Sequence, residues 1–175
     1  YTNMSQLLTA ATEANFQEVK RLVESGDDVN EKHDDGRTVL HYAVSANSLK
    51  IVKYLVEHGA EVINLHTHGS DTILFLACEK GNESIVDYLL QNGATKDINK
   101  YGDDRVSPLS IASEKGHTAV VQTLLKYNVD MRKDKQLVCG NEEIINIINW
   151  ELKKSIKYRK KLKELKALDN KKLTK

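Results

Sequence analysis

The hexamer Thr38-Val39-Leu40-His41-Tyr42-Ala43 returns twice along the chain, as Thr72-Ile73-Leu74-Phe75-Leu76-Ala77 and as Ser107-Pro108-Leu109-Ser110-Ile111-Ala112. The alanine that closes each copy lies 16 residues before a glycine or asparagine suited to a left-handed backbone, at positions 59, 93 and 128. The copies therefore align at both ends. A unit that returns every 33 to 35 residues is typical of repeat proteins, in which each unit buries its apolar face against the next.

The second unit shows how one repeat is expected to fold. Thr38 is a favourable helix N-cap, and three apolar residues follow at helical intervals, Leu40, Ala43 and Val44. After a break at Asn47-Ser48, a second apolar stripe consists of Ile51, Val52, Leu55 and Val56. Gly59 is expected to end this helix, because a residue with positive φ commonly closes one. The pattern predicts a pair of helices that face the same core.

The repeat resembles a known family. A degenerate first copy, Leu7, Leu8 and Ala10, keeps the distance to Gly26, and the Thr-x-Leu-His-x-Ala core closely resembles the ankyrin repeat over about residues 4 to 135. The resemblance implies an all-α fold, an ankyrin-repeat solenoid of helix-turn-helix units with finger loops, in units of about 4–33, 34–66, 67–101 and 102–135. It also implies that His41 bridges backbone groups of adjacent loops, and we interpret His41 and His117 as structural.

The C-terminal region does not continue the repeat. Asn141-Glu142-Glu143 favours a helix start, and one helical face then carries Ile145, Ile148, Leu152 and Ile156. We predict a capping helix over 136–156 and a basic tail, helical or disordered, over 157–175. The apolar stripe moves to another side after residue 157. This tail is either a solvated helical extension or a recognition element for a partner, an anionic lipid or a nucleic acid.

Charge is distributed unevenly along the chain. Residues 150–175 hold 11 Lys or Arg against 3 acidic residues, a balance of +8, and the other 149 residues hold 15 against 22, a balance of −7. Lysine outnumbers arginine 21 to 5, a usage that suggests an AT-rich genome such as that of many intracellular bacteria and some eukaryotic parasites. An acidic body with a basic tail favours a protein partner with a basic surface, and leaves nucleic acid or anionic lipid open for the tail.

The sequence contains only weak candidates for an enzyme active site or a metal site. His66-Thr67-His68 offers two imidazoles without a third ligand at a fitting spacing, and Asp27-Asp28, Asp34-Asp35 and Asp103-Asp104 lie in turn-rich segments. Cys78 and Cys139 are far apart and favour two reduced thiols. No apolar run approaches the roughly 18 residues of a membrane span. We therefore expect a soluble protein with no catalytic residue, metal, cofactor or small-molecule substrate.

The resemblance places the binding surface in a concave groove made by the finger tips and the outer edge of each first helix. Longer fingers on one side favour specificity there. The predicted residues are Lys32, Asp34, Asp35, Arg37, Ser45 and Ala46 in the second unit; His66, His68, Ser70, Glu79 and Lys80 in the third; and Tyr101, Asp103, Asp104, Arg105, Glu114 and Lys115 in the fourth.

The function that follows is a non-enzymatic protein interaction module or adaptor in the cytoplasm. The AT-rich usage suggests one specific form, an effector that an intracellular bacterium sends into the host cytoplasm or nucleus. Two alternatives stay open at this point. The basic tail favours nucleic-acid or anionic-membrane binding, and the repeats alone would also suit a scaffold segment of a larger enzyme.

Overall fold

The computed structural model describes residues 4–63, 72–102, 106–127, 129–130 and 141–172, with side chains up to Lys157 and at Lys160 in the last segment. A 3₁₀ helix, Ala94–Asp97, follows the sixth α-helix. Within these residues the α-helices are α1 (Gln6–Thr12), α2 (Phe16–Glu24), α3 (Val39–Ser45), α4 (Leu49–Glu57), α5 (Ile73–Lys80), α6 (Glu83–Gln91), α7 (Pro108–Glu114), α8 (Thr118–Lys126) and α9 (Glu142–Lys172).

The helices stack in two layers. The first helix of each pair packs on the first helix of the next, so that α1, α3, α5 and α7 form an inner layer. The second helices, α2, α4, α6 and α8, form an outer layer, and α9 packs on α8. Each predicted unit contains one helix pair, which confirms the all-α solenoid of helix-turn-helix units. The residue limits of the units stay a prediction.

One apolar core runs through all the units, because every helix pair buries its stripe against the next pair. The predicted stripe residues in units two to four are nearly all buried, with Val56 and Leu125 partly so. Fully buried side chains at equivalent positions include Leu40, Leu74 and Leu109 in the inner layer and Leu55, Leu89 and Leu124 in the outer layer. Stability is therefore shared between neighbours, as expected for stacked repeats.

Polar caps start the inner helices. The hydroxyls of Ser5, Thr72 and Ser107 each accept a hydrogen bond from the backbone N–H three residues later, at 3.2, 3.1 and 3.0 Å. Each hydroxyl satisfies one of the amides that a helix N-terminus leaves without an intrahelical acceptor. Pro108 at the first helical position suits the fourth unit, since its missing N–H is not needed there.

A left-handed residue separates the two helices of every unit. Ala14, Asn47, Gly81 and Gly116 have φ of 55°, 57°, 78° and 76°. A second left-handed position lies 12 residues further on, at glycines 26, 59 and 93, with φ of 103°, 93° and 109°. Gly59 ends its helix pair as predicted, whereas Asn128 lies outside the described residues. The helix pairs of the first three units therefore have a constant length. The repeat period increases along the chain because the fingers become longer.

The C-terminal helix differs from the prediction in its register. Ile145 and Ile156 are wrong as core residues, because their side chains are 41% and 65% exposed. Ile144 and Ile148 are buried instead, and Leu152 packs against the core. Since residues 144, 148 and 152 lie four apart, they follow one side of a helix with 3.6 residues per turn. That side, about 45° from the predicted one, is the side that faces α8.

The same helix continues beyond the predicted cap. It runs from Glu142 to Lys172 without a break at residue 157, and the predicted limits of the cap and of the tail stay a prediction. The Asn141 side chain starts it by accepting a hydrogen bond of 3.0 Å from the Glu143 N–H. Residues 136–140, which the sequence assigns to the cap, lie outside the described residues.

Candidate protein-binding face

The inner layer leaves one side of each first helix exposed, at positions that recur from unit to unit. We call this surface the inner face. It consists of Tyr42 and Ser45 on α3 with its C-cap Ala46; Leu76, Glu79 and Lys80 on α5; Ile111 and Glu114 on α7 with its C-cap Lys115; and Lys32, Asp34, Asp35 and Arg37 on the finger before α3.

An apolar row runs along the middle of the inner face. Tyr42, Leu76 and Ile111 occupy the same position in three successive units, and the first two are half-buried while Ile111 is 8% exposed. The His33 ring contacts Tyr42 edge-on, with 6.3 Å between ring centroids. Burial raises the pKa of the Tyr42 hydroxyl. These residues offer a contact surface for apolar side chains at a regular spacing, about 8–10 Å between packed helices.

Charged rows lie beside the apolar row in the last two units. Glu79 and Glu114 share one position, and Lys80 and Lys115 share the next. The second unit has Ser45 and Ala46 at these positions, so its inner helix is uncharged there. The inner face is therefore neutral at α3 and mixed in charge at α5 and α7.

The finger before α3 is a tight turn built around Asp35. The His33 N–H donates to the Arg37 carbonyl over 2.8 Å, and the Asp35 carboxylate accepts from the Arg37 N–H over 3.0 Å. The His33 Nδ1 and Arg37 Nε lie 3.2 and 3.5 Å from the same carboxylate. Partial burial opposes ionisation, but these donors hold the pKa of Asp35 below its ordinary value.

The other charged side chains around this turn face solvent. Lys32, Asp34 and Arg37 are exposed, and Lys32 pairs with Thr38 through the isolated antiparallel bridge at the base of the finger. A surface charge of this kind acts mainly on the rate and specificity of association.

Two histidines, His41 and His117, form hydrogen bonds next to the inner face. The Thr38 N–H donates to the His41 Nδ1 over 3.0 Å, so the ring proton lies on Nε2, which is buried without a partner among the described residues. The resemblance implies that His41 bridges two adjacent loops. The structure shows its bond to Thr38, and no bond from Nε2 to a second loop within the described residues. His117 Nε2 donates to the Glu79 carbonyl over 3.0 Å and joins units three and four. The structural interpretation of His117 is confirmed.

The sequence comparison agrees with this geometry. A family model described as ankyrin repeats (3 copies) matches residues 2–66 and 62–136. This chain belongs to the ankyrin repeat family. Ankyrin repeats generally act as protein interaction modules, and the family is typically non-enzymatic.

Similar proteins with ankyrin repeats come from several organisms. Diacylglycerol kinase zeta of Rattus norvegicus is 26% identical over 133 residues, and an ankyrin repeat protein of fowlpox virus is 30% identical over 161 residues. Neurogenic locus notch homolog protein 1 of Mus musculus is 31% identical over 137 residues. These matches cover 75%, 82% and 77% of this chain, but only 14%, 47% and 5% of the relatives. The chain thus spans less than half of each relative.

The ankyrin fold places the predicted binding residues in two groups. Lys32, Asp34, Asp35 and Arg37 come together on one finger, and Ser45, Glu79, Lys80 and Glu114 lie on the inner helices. Tyr101 is half-buried at the start of the third finger, where the Gly102 N–H donates to the Val106 carbonyl over 3.0 Å. The remaining predicted residues, His66, His68, Ser70, Asp103, Asp104 and Arg105, lie outside the described part of the chain and stay a prediction.

An asparagine that recurs in the loop after each of the first three helix pairs was not predicted. The Asn30 carboxamide oxygen accepts from the Glu61 N–H over 2.8 Å, and the Asn99 oxygen accepts from the Asp130 N–H over 2.7 Å. Both bonds span 31 residues and fix one ankyrin loop to the next. The signal was present, because an apolar residue followed by asparagine recurs at Val29-Asn30, Ile63-Asn64 and Ile98-Asn99.

Membrane spans and metal clusters are not found in the described segments. No helix there is long and apolar enough to cross a bilayer, and no group of three His, Cys, Asp or Glu side chains there is placed to hold a metal ion. Burial raises the pKa of the Cys78 thiol far above its usual range, which disfavours the reactive thiolate. The His66-Thr67-His68 segment lies outside these residues.

Proposed function

We propose that the inner face binds a segment of a protein partner and that this chain acts as an adaptor. The observation that supports it is the apolar row of Tyr42, Leu76 and Ile111, flanked by charged rows and a rigid finger. A partly exposed apolar row with a charged border, accessible mainly at Tyr42 and Leu76, suits a binding surface. A helix or extended segment with apolar side chains about 10 Å apart would fill successive positions of the row.

The partner surface that we propose is basic. The part of the chain outside residues 150–175 carries a balance of −7, and the finger before α3 presents Asp34 beside the ordered Asp35. Complementary charge would speed association and is screened beyond about 8 Å at physiological salt. The predicted acidic pair Asp103-Asp104 would add a second patch two units from the first.

A matched pair of variants tests the inner face. Leu76→Arg removes the centre of the apolar row, and we expect it to weaken binding of the partner at least about tenfold, as for a central interface residue. Tyr88→Arg is the control, because Tyr88 is also half-buried but lies on the outer helix α6. Cross-linking and titration of the captured partner would measure both. Loss of binding in Tyr88→Arg alone would assign recognition to the outer layer.

The finer biological role is also a proposal. We place the adaptor in the cytoplasm and propose an effector of an intracellular bacterium, on the lysine-rich composition described above. A secretion reporter fused to the chain would test this, since an effector must reach the host cell. Retention in the bacterium would contradict the role without affecting the inner-face proposal.

One observation favours a second candidate, a scaffold segment of a longer protein. The relatives are much longer than the matched region, and one of them is named a kinase. In such a protein the inner face would position another domain or its target. Sequencing the complete gene decides between a separate adaptor and a segment.

A further inference from the structure

The C-terminal helix carries an exposed aromatic and basic surface, one edge of which borders α8. Trp150, Lys153, Lys154, Lys157 and Lys160 are all exposed, and Trp150 retains 59% of its surface. At about 100° per residue these five side chains occupy roughly 120° of the helix, centred opposite the buried stripe that packs on α8. We call them the Trp150 face. Between residues 146 and 160 this arc contains no acidic residue.

Trp150 lies at the edge of a cleft between α8 and α9. The cleft has a volume of about 770 Å³, and its apolar walls include Leu125 and Ile147. Lys126 and Lys154 also line it, and the Lys154 Nζ lies 4.0 Å from the centroid of the indole ring. Glu151 reaches Lys154 over 3.3 Å from outside the arc. A large apolar ring is thus held at the surface beside the Lys154 ammonium, and Glu151 also lines the cleft.

We propose that the Trp150 face binds the surface of a membrane that contains anionic lipids. Tryptophan is favoured at the headgroup level, because its ring is apolar and its N–H is polar. Lysines near an anionic leaflet add electrostatic attraction of about 1 kcal/mol each, and one inserted tryptophan adds buried apolar area. The helix would lie against the headgroups with Trp150 entering between them and the lysines beside the lipid phosphates.

Two features favour a lipid surface over nucleic acid. The described arc contains lysines and no arginine, whose planar fork gives bidentate phosphate and base contacts. The Lys154 ammonium also covers one face of the indole, so that face is not open to a stacked base. The inner face shares no residue with the Trp150 face, so membrane binding would leave the adaptor surface free.

The chain contains one tryptophan, so its fluorescence reports this site directly. We expect a blue shift when the 175-residue chain meets vesicles of phosphatidylcholine with about 30% phosphatidylserine, and none with phosphatidylcholine alone. Replacing Lys153, Lys154, Lys157 and Lys160 with glutamine should weaken binding by about fivefold per lysine. Trp150→Ala should weaken it at least about tenfold in co-sedimentation, with circular dichroism unchanged because the ring is exposed.

The matched control removes the same charge elsewhere, with glutamine at Lys20, Lys50, Lys53 and Lys96, all exposed on the repeats. This control should bind vesicles within about twofold of the unchanged chain, apart from a small effect of net charge. Equal loss in both quadruple variants would reduce the effect to overall charge and overturn the proposal. It would also fail if vesicles gave no shift, or if single-stranded DNA shifted the fluorescence at concentrations where vesicles did not.

Discussion

At the residue scale, the turn between the two helices of each unit shows how one backbone requirement is met by different side chains. The four equivalent positions hold Ala14, Asn47, Gly81 and Gly116, all with positive φ. Glycine adopts this conformation without strain, asparagine tolerates it, and alanine is strained by about 1–2 kcal/mol. The first unit therefore contains a strained residue where the last two contain relaxed ones.

Exchanging the residues at this position should shift stability in opposite directions. We expect Ala14→Gly to stabilise the chain by about 0.5–1 kcal/mol, after the added entropy of the unfolded glycine is subtracted. Gly81→Ala should destabilise it by about 2–4 kcal/mol, because the new Cβ is strained and collides with the His117 ring. Urea unfolding of both variants measures this. Similar destabilisation by both would contradict the strain at Ala14.

His41 should make stability depend on pH in a specific window. Burial, with further contributions from Arg37 and Lys32, lowers the pKa of His41 from 6.5 to about 4. The unfolded chain then binds more protons than the folded chain between these values, so stability falls as pH drops below 6.5. The loss between pH 7 and pH 5 should be about 2 kcal/mol, since protonation breaks the bond from Thr38 to Nδ1.

The variant His41→Phe is the control for this window, because Phe75 stands at the same position of the next unit. Unfolding free energies at pH 7 and pH 5 should differ less in the variant than in the unchanged chain, by the contribution of His41. An identical pH dependence in both chains would assign the effect to other groups.

At the element scale, the helices of the repeats could be predicted from their spacing, whereas the register of α9 could not. Each repeat helix has an apolar stripe bounded by a cap and a left-handed residue, so its buried side follows from the sequence alone. The start of α9 contains Ile144, Ile145, Ile147 and Ile148, which spread over about 160° of the helix and therefore leave its register open. The position of α8, which is a tertiary property, selects Ile144 and Ile148.

The binding surface could likewise be predicted only in part from the sequence. Finger and inner-helix positions could be located from the repeat, because they recur at fixed offsets from the caps. The loop contact of Asn30 with Glu61 needed the structure, since it joins backbone and side chain over 31 residues. The side-chain arrangement on the Trp150 face also depended on the continuity of α9.

Adjacent isoleucines provide a direct test of the α9 register. Ile144→Ala should cost about 2–5 kcal/mol, because Ile144 is fully buried and a cavity would remain against α8. Ile145→Ala should cost under about 1 kcal/mol, since its side chain is 41% exposed. Thermal unfolding of both variants compares them. A larger loss for Ile145→Ala would restore the register that the sequence predicts.

At the scale of the whole molecule, stability is a property of neighbouring units. Leu89 is fully buried in α6, which packs on both α4 and α8. Leu89→Ala should cost about 2–5 kcal/mol and should also loosen units two and four through their shared interface. Hydrogen exchange resolved by segment measures this. Faster exchange confined to unit three would contradict the stacked core.

The spacing of the left-handed positions also restricts the register in which a long partner can bind. Their 12-residue separation is constant, while the finger segments from glycines 26, 59 and 93 to the next N-cap contain 12, 13 and 14 residues. The helix pairs thus recur with equal length, whereas each successive finger is one residue longer. A ligand that contacted only the apolar row could shift by one unit and meet an equivalent position. A ligand that also contacted the fingers would fit both the helix spacing and the finger lengths at one position and in one orientation.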